Sequence, residues 1–289
     1  MCARSQPRFT RDGAVSTVFS LAAGAVLLAA SGCVDIVATD ISHVEREERR
    51  FIAESKPDLN LTTFDGAIEV QSWDRPEVLV VVERRGRDKA EAEAIQVDIE
   101  QRGHEITVVA RRDPRERQTF GWNRRSASLF ITVPRNAAIR ARSGDGRIVV
   151  GDVNGEVSVE TGDGSIRIEH VDGVVDAQSG DGSIHVDGVL ARVRVRSGDG
   201  RVTIRADRGS AAQEDWSVST GDGSVMLELP DRFDAELDAN TGDGRITIDD
   251  VDMRDRKRSH RQSVQTRLGA GGHSLHVRSG DGSITLRQF

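Results

Sequence analysis

Two cysteines in 289 residues exclude a disulfide-stapled fold. Lysine is scarce as well. Lys56, Lys89 and Lys257 are the only three, so 37 of the 40 basic residues are arginine, a bias that fits a GC-rich bacterial genome. Aromatic residues make up 4% of the chain, and its tryptophans are Trp73, Trp122 and Trp216. A sugar-binding face built from exposed rings needs more than that. There is no excess of positive charge: the formal net charge is −7, which argues against a nucleic-acid partner. Motifs of catalysis are missing too. There is no zinc-protease helix motif, nucleophile elbow or phosphate loop, and His104-Glu105 lacks the second histidine a zinc helix needs. The remaining histidines are scattered, with His273 and His276 placed as strand surface. No catalytic residue and no metal ligand is assigned.

The N-terminus reads as an export signal. Arg4, Arg8 and Arg11 precede an apolar run over residues 14–30, which is short for a membrane-spanning helix. Ala30-Ser31-Gly32-Cys33 follows, small residues before a cysteine, as in bacterial lipoprotein signals. Ala30 stands where leucine is usual. A plain signal peptide cut near Cys33 and an uncleaved anchor are the alternatives. Removal of residues 1–32 takes Cys2 away and leaves Cys33 alone, free to be the lipid anchor. That removal also takes three Arg and one Asp, a net +2, so the mature charge becomes −9. Val34, not Asp, follows the cysteine, which favours the outer membrane over the inner. Residues 33–49 are charged, without a clear period, and read as a tether.

What the chain has in abundance is one turn. Ser/Thr-Gly-Asp-Gly occurs seven times, with aspartates Asp145, Asp163, Asp181, Asp199, Asp222, Asp243 and Asp281. The first four stand 18 residues apart; the later gaps are 23, 21 and 38. Such a period marks a repeat architecture. Six and four residues before each aspartate, and three and five after it, the residue is apolar in every copy, as in Ile139, Ala141, Ile148 and Val150. The positions between are mostly polar. Alternation of this kind predicts half-buried strands. Each repeat is therefore strand, Gly-Asp-Gly turn, strand, second turn. Glycine suits the tight turn because it accepts positive φ, and the Ser or Thr before it points inward, within reach of backbone. Trp216 falls on an inward position.

Two all-β folds fit. In a β-solenoid each 18-residue coil stacks on its equivalent, about 4.8 Å away; in an antiparallel meander the Asp-Gly pair is a hairpin loop. The solenoid is favoured because it explains the strict period. Residues 50–138 carry less regular strands, a short helical stretch at residues 88–94 and an arginine-rich loop at 111–125. They read as first coils on the same core as the repeats of 139–289, so that 50–289 forms one domain. The second turn holds the insertions, the longest before the last coil.

Phe64-Asp65-Gly66-Ala67-Ile68-Glu69-Val70-Gln71-Ser72-Trp73, the repeated Ser/Thr-Gly-Asp-Gly-x-Ile/Val, and the closing Gly271-Gly272-His273-Ser274-Leu275 resemble the bacterial "putative adhesin" domain-of-unknown-function family over residues 50–289. The resemblance implies a β-helix-like fold on an exported or surface-tethered protein, and little about activity. The insert before the last coil is longer than that family's spacing.

Three features are candidates for chemistry. Stacked turn aspartates would place like charges about 5 Å apart, so calcium between coils is one way to hold them. The turns lack the second acidic ligand of the calcium-binding nonapeptide, so solvated aspartates bonded to their own turn are the simpler expectation. A carbohydrate-active site is a further alternative, but seven equivalent turns do not give two carboxylates unequal environments. Arg254, Arg256, Lys257, Arg258 and Arg261 form a basic patch in the long insert, which would dock an anionic glycan or protein partner; a solvated mobile loop is the plainer reading. Together these point to a non-catalytic cell-envelope lipoprotein acting by surface contact. A periplasmic structural or envelope-sensing module is the alternative, and a carbohydrate-active β-helix enzyme the second.

Overall fold

The computed structural model describes residues 43–53, 56–112, 125–249 and 262–289, and the backbone of 253–260. In chain order the strands are β1 (His43–Ile52), β2 (Asp58–Thr63), β3 (Ile68–Trp73) and β4 (Glu77–Gly86), then helix α1 (Lys89–Glu93). Next come β5 (Gln96–Arg102), β6 (Glu105–Arg111), β7 (Ser126–Pro134), β8 (Ala138–Ser143), β9 (Ile148–Gly151) and β10 (Asn154–Thr161). Then follow β11 (Ile166–Ser179), β12 (Ile184–Ser197), β13 (Val202–Ala206), β14 (Trp216–Thr220), β15 (Val225–Leu229) and β16 (Ala235–Thr241). The last are β17 (Ile246–Asp249), β18 (Met253–His260), β19 (Ser263–Leu268), β20 (Ser274–Ser279) and β21 (Ile284–Gln288). Helix α1 occupies the predicted helical stretch, capped by the Asp88 carboxylate, which accepts the Glu91 N–H at 2.8 Å.

The fold is an all-β solenoid with two walls. Wall A holds the strands that enter the Gly-Asp-Gly turns, and wall B those that leave them. Val157 pairs with Val175 and Val175 with Val193, all in parallel. Each step is one 18-residue repeat, and this parallel register excludes the meander. The strands β11 and β12 run unbroken from wall B around the second corner into wall A. Gly173 makes that corner at φ +144°, with Gly155 equivalent at +147°. A side chain on Gly173 would also lie 2.1 Å from the Gly155 carbonyl oxygen.

The coils do not stack in chain order. Wall A runs β5–β6–β2–β8–β10–β11–β12–β14–β20–β16–β19–β18. Wall B runs β1–β4–β7–β3–β9–β11–β12–β13–β15–β21–β17. The last coil of the chain, β20/β21, is inserted between β14/β15 and β16/β17. At the other end the first coil, β2/β3, sits between β6/β7 and β8/β9. The first coil, β2/β3, and the last, β20/β21, are therefore both interior coils. Apolar alternation dictates which face of a strand turns inward and says nothing of which coil it stacks on, so the expectation of chain-order stacking is corrected here.

The inward columns of both walls meet in one core running from Leu59 to Leu286. The inward repeat positions are buried in every copy except at Ile246 and Ile248, which are half-buried. Those two lie on β17, the outermost strand of wall B. Trp216 is fully buried, its ring edge-on to Phe233 at 5.0 Å, and its indole N–H donates to the Ala191 carbonyl at 3.2 Å.

Two stretches differ from expectation. The tether 33–49 includes the start of β1, which pairs with β4 along its whole length. Its Glu/Arg alternation hid it, because neither face carries a continuous apolar row. Such charge on an outermost strand also blocks edge-to-edge association. The long insert is not a loop throughout. It forms the hairpin β18–β19, with β19 antiparallel to β16 and burying Val264, Thr266 and Leu268.

Candidate functional site

The turn edge is built by hydroxyls, not carboxylates. Each repeat Ser or Thr is buried and donates to the carbonyl of the second turn glycine in the neighbouring coil. The series is Ser143 to Gly66 (2.9 Å), Thr161 to Gly146 (2.9 Å), Ser179 to Gly164 (2.9 Å) and Ser197 to Gly182 (3.0 Å). It continues with Thr220 to Gly200 (2.9 Å), Ser279 to Gly223 (2.8 Å) and Thr241 to Gly282 (2.8 Å). Thr63 extends it to the Ala127 carbonyl at 2.7 Å. In four turns the same oxygen also accepts the second glycine's N–H, as Ser179 does from Gly182 at 3.0 Å. The expectation that the aspartate bonds its own turn is corrected: the hydroxyl takes that position.

The reason for glycine is corrected too. None of the repeat-turn glycines has a positive φ. They are glycine because coils approach closely. A Cβ on Gly164, Gly182 or Gly200 would sit 2.0–2.1 Å from the carbonyl oxygen beneath.

The seven aspartates are left at the surface. Asp145, Asp163, Asp181, Asp199, Asp222, Asp243 and Asp281 are all exposed, and among the described residues none pairs with a cation. Asp65, in the β2–β3 turn, extends their column. Burial is the main cause that raises its carboxyl above the ordinary aspartate range; Asp145 adds to this and Arg112 opposes it. Stability from Asp65 is therefore full below the ordinary aspartate value and is lost as pH rises through the raised one. Asp65→Asn is expected to raise the melting temperature at pH 7 and to leave it unchanged near pH 3. A lower melting temperature at pH 7 would contradict the assignment.

No three of these carboxylates converge on a point that would hold an ion, so the calcium expectation finds no site there among the described residues. The metal-compatible group among the described residues is Glu169, His185 and Asp187 on wall B, with ligand atoms within 4.8 Å of one another. Its members already have partners. Glu169 faces Arg167 at 3.1 Å, and Asp187 accepts the His170 backbone N–H at 2.8 Å.

The outer face of wall A carries a site that the repeat pattern did not single out. A groove of about 460 Å³ lies along β14, between β12 and β20. Ser217 and Ser219 floor it. Arg194 and Arg196 rise on one side, His276 and Arg278 on the other. Small side chains on the middle strand make the depression, and long cationic ones on its neighbours make the walls. Elsewhere among the described side chains of this wall arginines are paired, Arg140 with Asp58 at 2.6 Å and Arg142 with Glu160 at 3.0 Å. Arg194, Arg196 and Arg278 make no ion pair or hydrogen bond among the described residues. The His276 Nδ1 is buried without a hydrogen bond, 3.6 Å from Asp238. The signal was present in the sequence as arginines at outward positions. Their convergence was not, because β20 pairs with β14 from 59 residues downstream, past β16 and the hairpin.

The other predicted site residues are not placed. Cys33, the leader and Arg261 lie outside the described residues, as does most of the arginine-rich loop. Arg254, Arg256, Lys257 and Arg258 fall on β18, whose side chains are also outside them.

No curated protein matches the chain. Solved structures similar to it at low identity include the following three. A putative adhesin from Bacteroides fragilis is 12% identical, with a TM-score of 0.41, covering 85% of this chain and 97% of its own. A putative adhesin from Parabacteroides distasonis is 9% identical, with a TM-score of 0.40, covering 84% and 97%. A putative cell adhesion protein from Clostridium sporogenes is 14% identical, with a TM-score of 0.38, covering 85% and 100%. The Toastrack DUF4097 family model matches residues 57–287, nearly all of the solenoid, and the chain belongs to that family.

Proposed function

We propose that the chain is a non-catalytic lipoprotein of the bacterial cell envelope that acts by surface contact, holding a ligand or partner against its solenoid. The observation that carries this reading is the groove of unpaired guanidinium groups on wall A. An open, shallow groove on a sheet braced by its hydroxyl ladder is suited to holding an extended partner. It does not enclose a substrate, and its two carboxylates, Asp176 and Asp238, stand on opposite margins beside Arg194 and His276. The leader and Cys33 supply the anchor, and the outer membrane is its expected site. A periplasmic structural or sensing role is the second reading; the acidic turn column, exposed in every copy, suits a partner that tracks along the coils.

The test is attachment. Cells making the full-length chain are compared with cells making Cys33→Ser for retention on a polysaccharide-coated surface. A tethered adhesin must stay on the cell to hold it, so Cys33→Ser should lower retention severalfold while the protein appears in the medium or periplasm. Equal retention by the two strains would sink the adhesion reading.

A further inference from the structure

We infer that the wall A groove is a binding site for an acidic polysaccharide whose charge is carried by uronic-acid carboxylates. The assignment rests on the surface-contact reading above and names its ligand class.

The groove's chemistry selects this ligand over other anions. Arg194, Arg196 and Arg278 point planar, unpaired guanidinium groups at it, and such groups match a carboxylate bidentately. Two strand spacings separate the β12 and β20 ridges, about 10 Å, wide enough for one sugar chain lying along β14. Ser217 and Ser219 offer hydroxyls along its length, and Gln178 offers an amide at its side. Carboxylates stand at both margins: Asp176 beside Arg194, and Asp238 beside His276. Three arginines less two aspartates leave a local charge of +1 with histidine neutral. A monoanionic sugar residue meets that charge, and its ring hydroxyls donate to the two carboxylates. A dianionic phosphate ester would face them unrelieved. An anionic membrane surface or a nucleic acid would need cations across the whole wall. Among the described residues of this wall the free cations are confined to the groove, while Arg140 and Arg142 are spent on Asp58 and Glu160. The shortage of aromatics removes ring stacking as a means of holding a neutral sugar, which leaves charge and hydroxyl bonding.

The test is a titration of the full-length chain, purified from the cells that make it, with a tetragalacturonate oligosaccharide. Maltotetraose, inorganic phosphate and phosphatidylglycerol vesicles are the comparison probes. Arg196→Ser and Arg278→Ser change outward side chains, and their melting temperatures report folding directly. Each should weaken tetragalacturonate binding about tenfold or more, the effect expected when one charge-assisted pair is lost. Arg142→Ser, on the same wall but ion-paired, should bind as the parent does. Added salt should weaken binding. The proposal is overturned if tetragalacturonate does not bind, or if Arg142→Ser weakens it as much as the groove variants do. It is also overturned if maltotetraose, phosphate or the vesicles bind as well as tetragalacturonate does. Binding that passes these tests while Cys33→Ser cells attach normally overturns the adhesion reading and keeps the site. Lost attachment with no tetragalacturonate binding does the reverse.

Discussion

Ile284→Asp is expected to unfold the solenoid, whereas Ile248→Asp, on the inward face of the neighbouring coil, does much less damage. Ile284 is 1% exposed on β21, with β15 hydrogen-bonded on one side and β17 on the other. Ile248 is half-buried on β17, which has β21 on one side and no described strand on the other. An unpaired carboxylate at Ile284 would have to be buried or would force two coils apart. Such changes lie in the tail of about 4–5 kcal/mol or more, against a usual total stability of about 5–15 kcal/mol. At Ile248 the new side chain can turn to water. Thermal melting and soluble yield of the two variants decide it. Chain-order stacking would make Ile284 part of the terminal coil and so predicts the opposite order of damage. The same reasoning makes removal of β20 and β21 a loss of two coil interfaces, unlike the single interface lost when an ordinary solenoid is trimmed.

Gly182→Ala should be a strongly damaging single-methyl change. Its Cβ would lie 2.0 Å from the Gly164 carbonyl oxygen and 2.5 Å from its carbon. Both are backbone atoms, so a rotamer change gives no relief. Moving them apart would also stretch the Ser179 and Ser197 bonds on either side. Overpacking of this kind costs roughly 3 kcal/mol, or about 6–12 °C of melting temperature at this size. The neighbouring Asp181→Asn removes an exposed, unpaired charge and should stay within about 0.5 kcal/mol of the parent. If Gly182→Ala melted with the parent, the close approach of coils at the turn would be wrong. If Asp181→Asn were the damaging change, the carboxylate would have a structural partner that the hydroxyl ladder leaves no need for.

The turn repeat made the inward columns legible because burial and period coincide there: Val157, Val175 and Val193 face the same core by the same arithmetic that spaces the aspartates. Trp216 followed from parity alone. What stayed hidden depended on neighbours, which a period does not encode. The close contact that demands glycine at 164 and 182 arises between coils, so the turn's own conformation suggested the wrong cause. The strand β1 carries glutamate and arginine on both faces and shows no apolar row. The insertion of β20 beside β14 has no local signature, and with it the facing of Arg278 toward Arg196 across Ser219 was invisible. The basic residues of the insert drew attention by density in sequence, while the groove assembles its cations from two strands distant in sequence.

Protease treatment of intact cells, read with an antibody against residues 50–289, tests the central functional claim most directly. A surface-contact module at the outer membrane predicts loss of signal on intact cells, with a periplasmic control protein untouched. A signal that persists until the outer membrane is permeabilised would contradict it and leave the periplasmic structural or sensing role in its place.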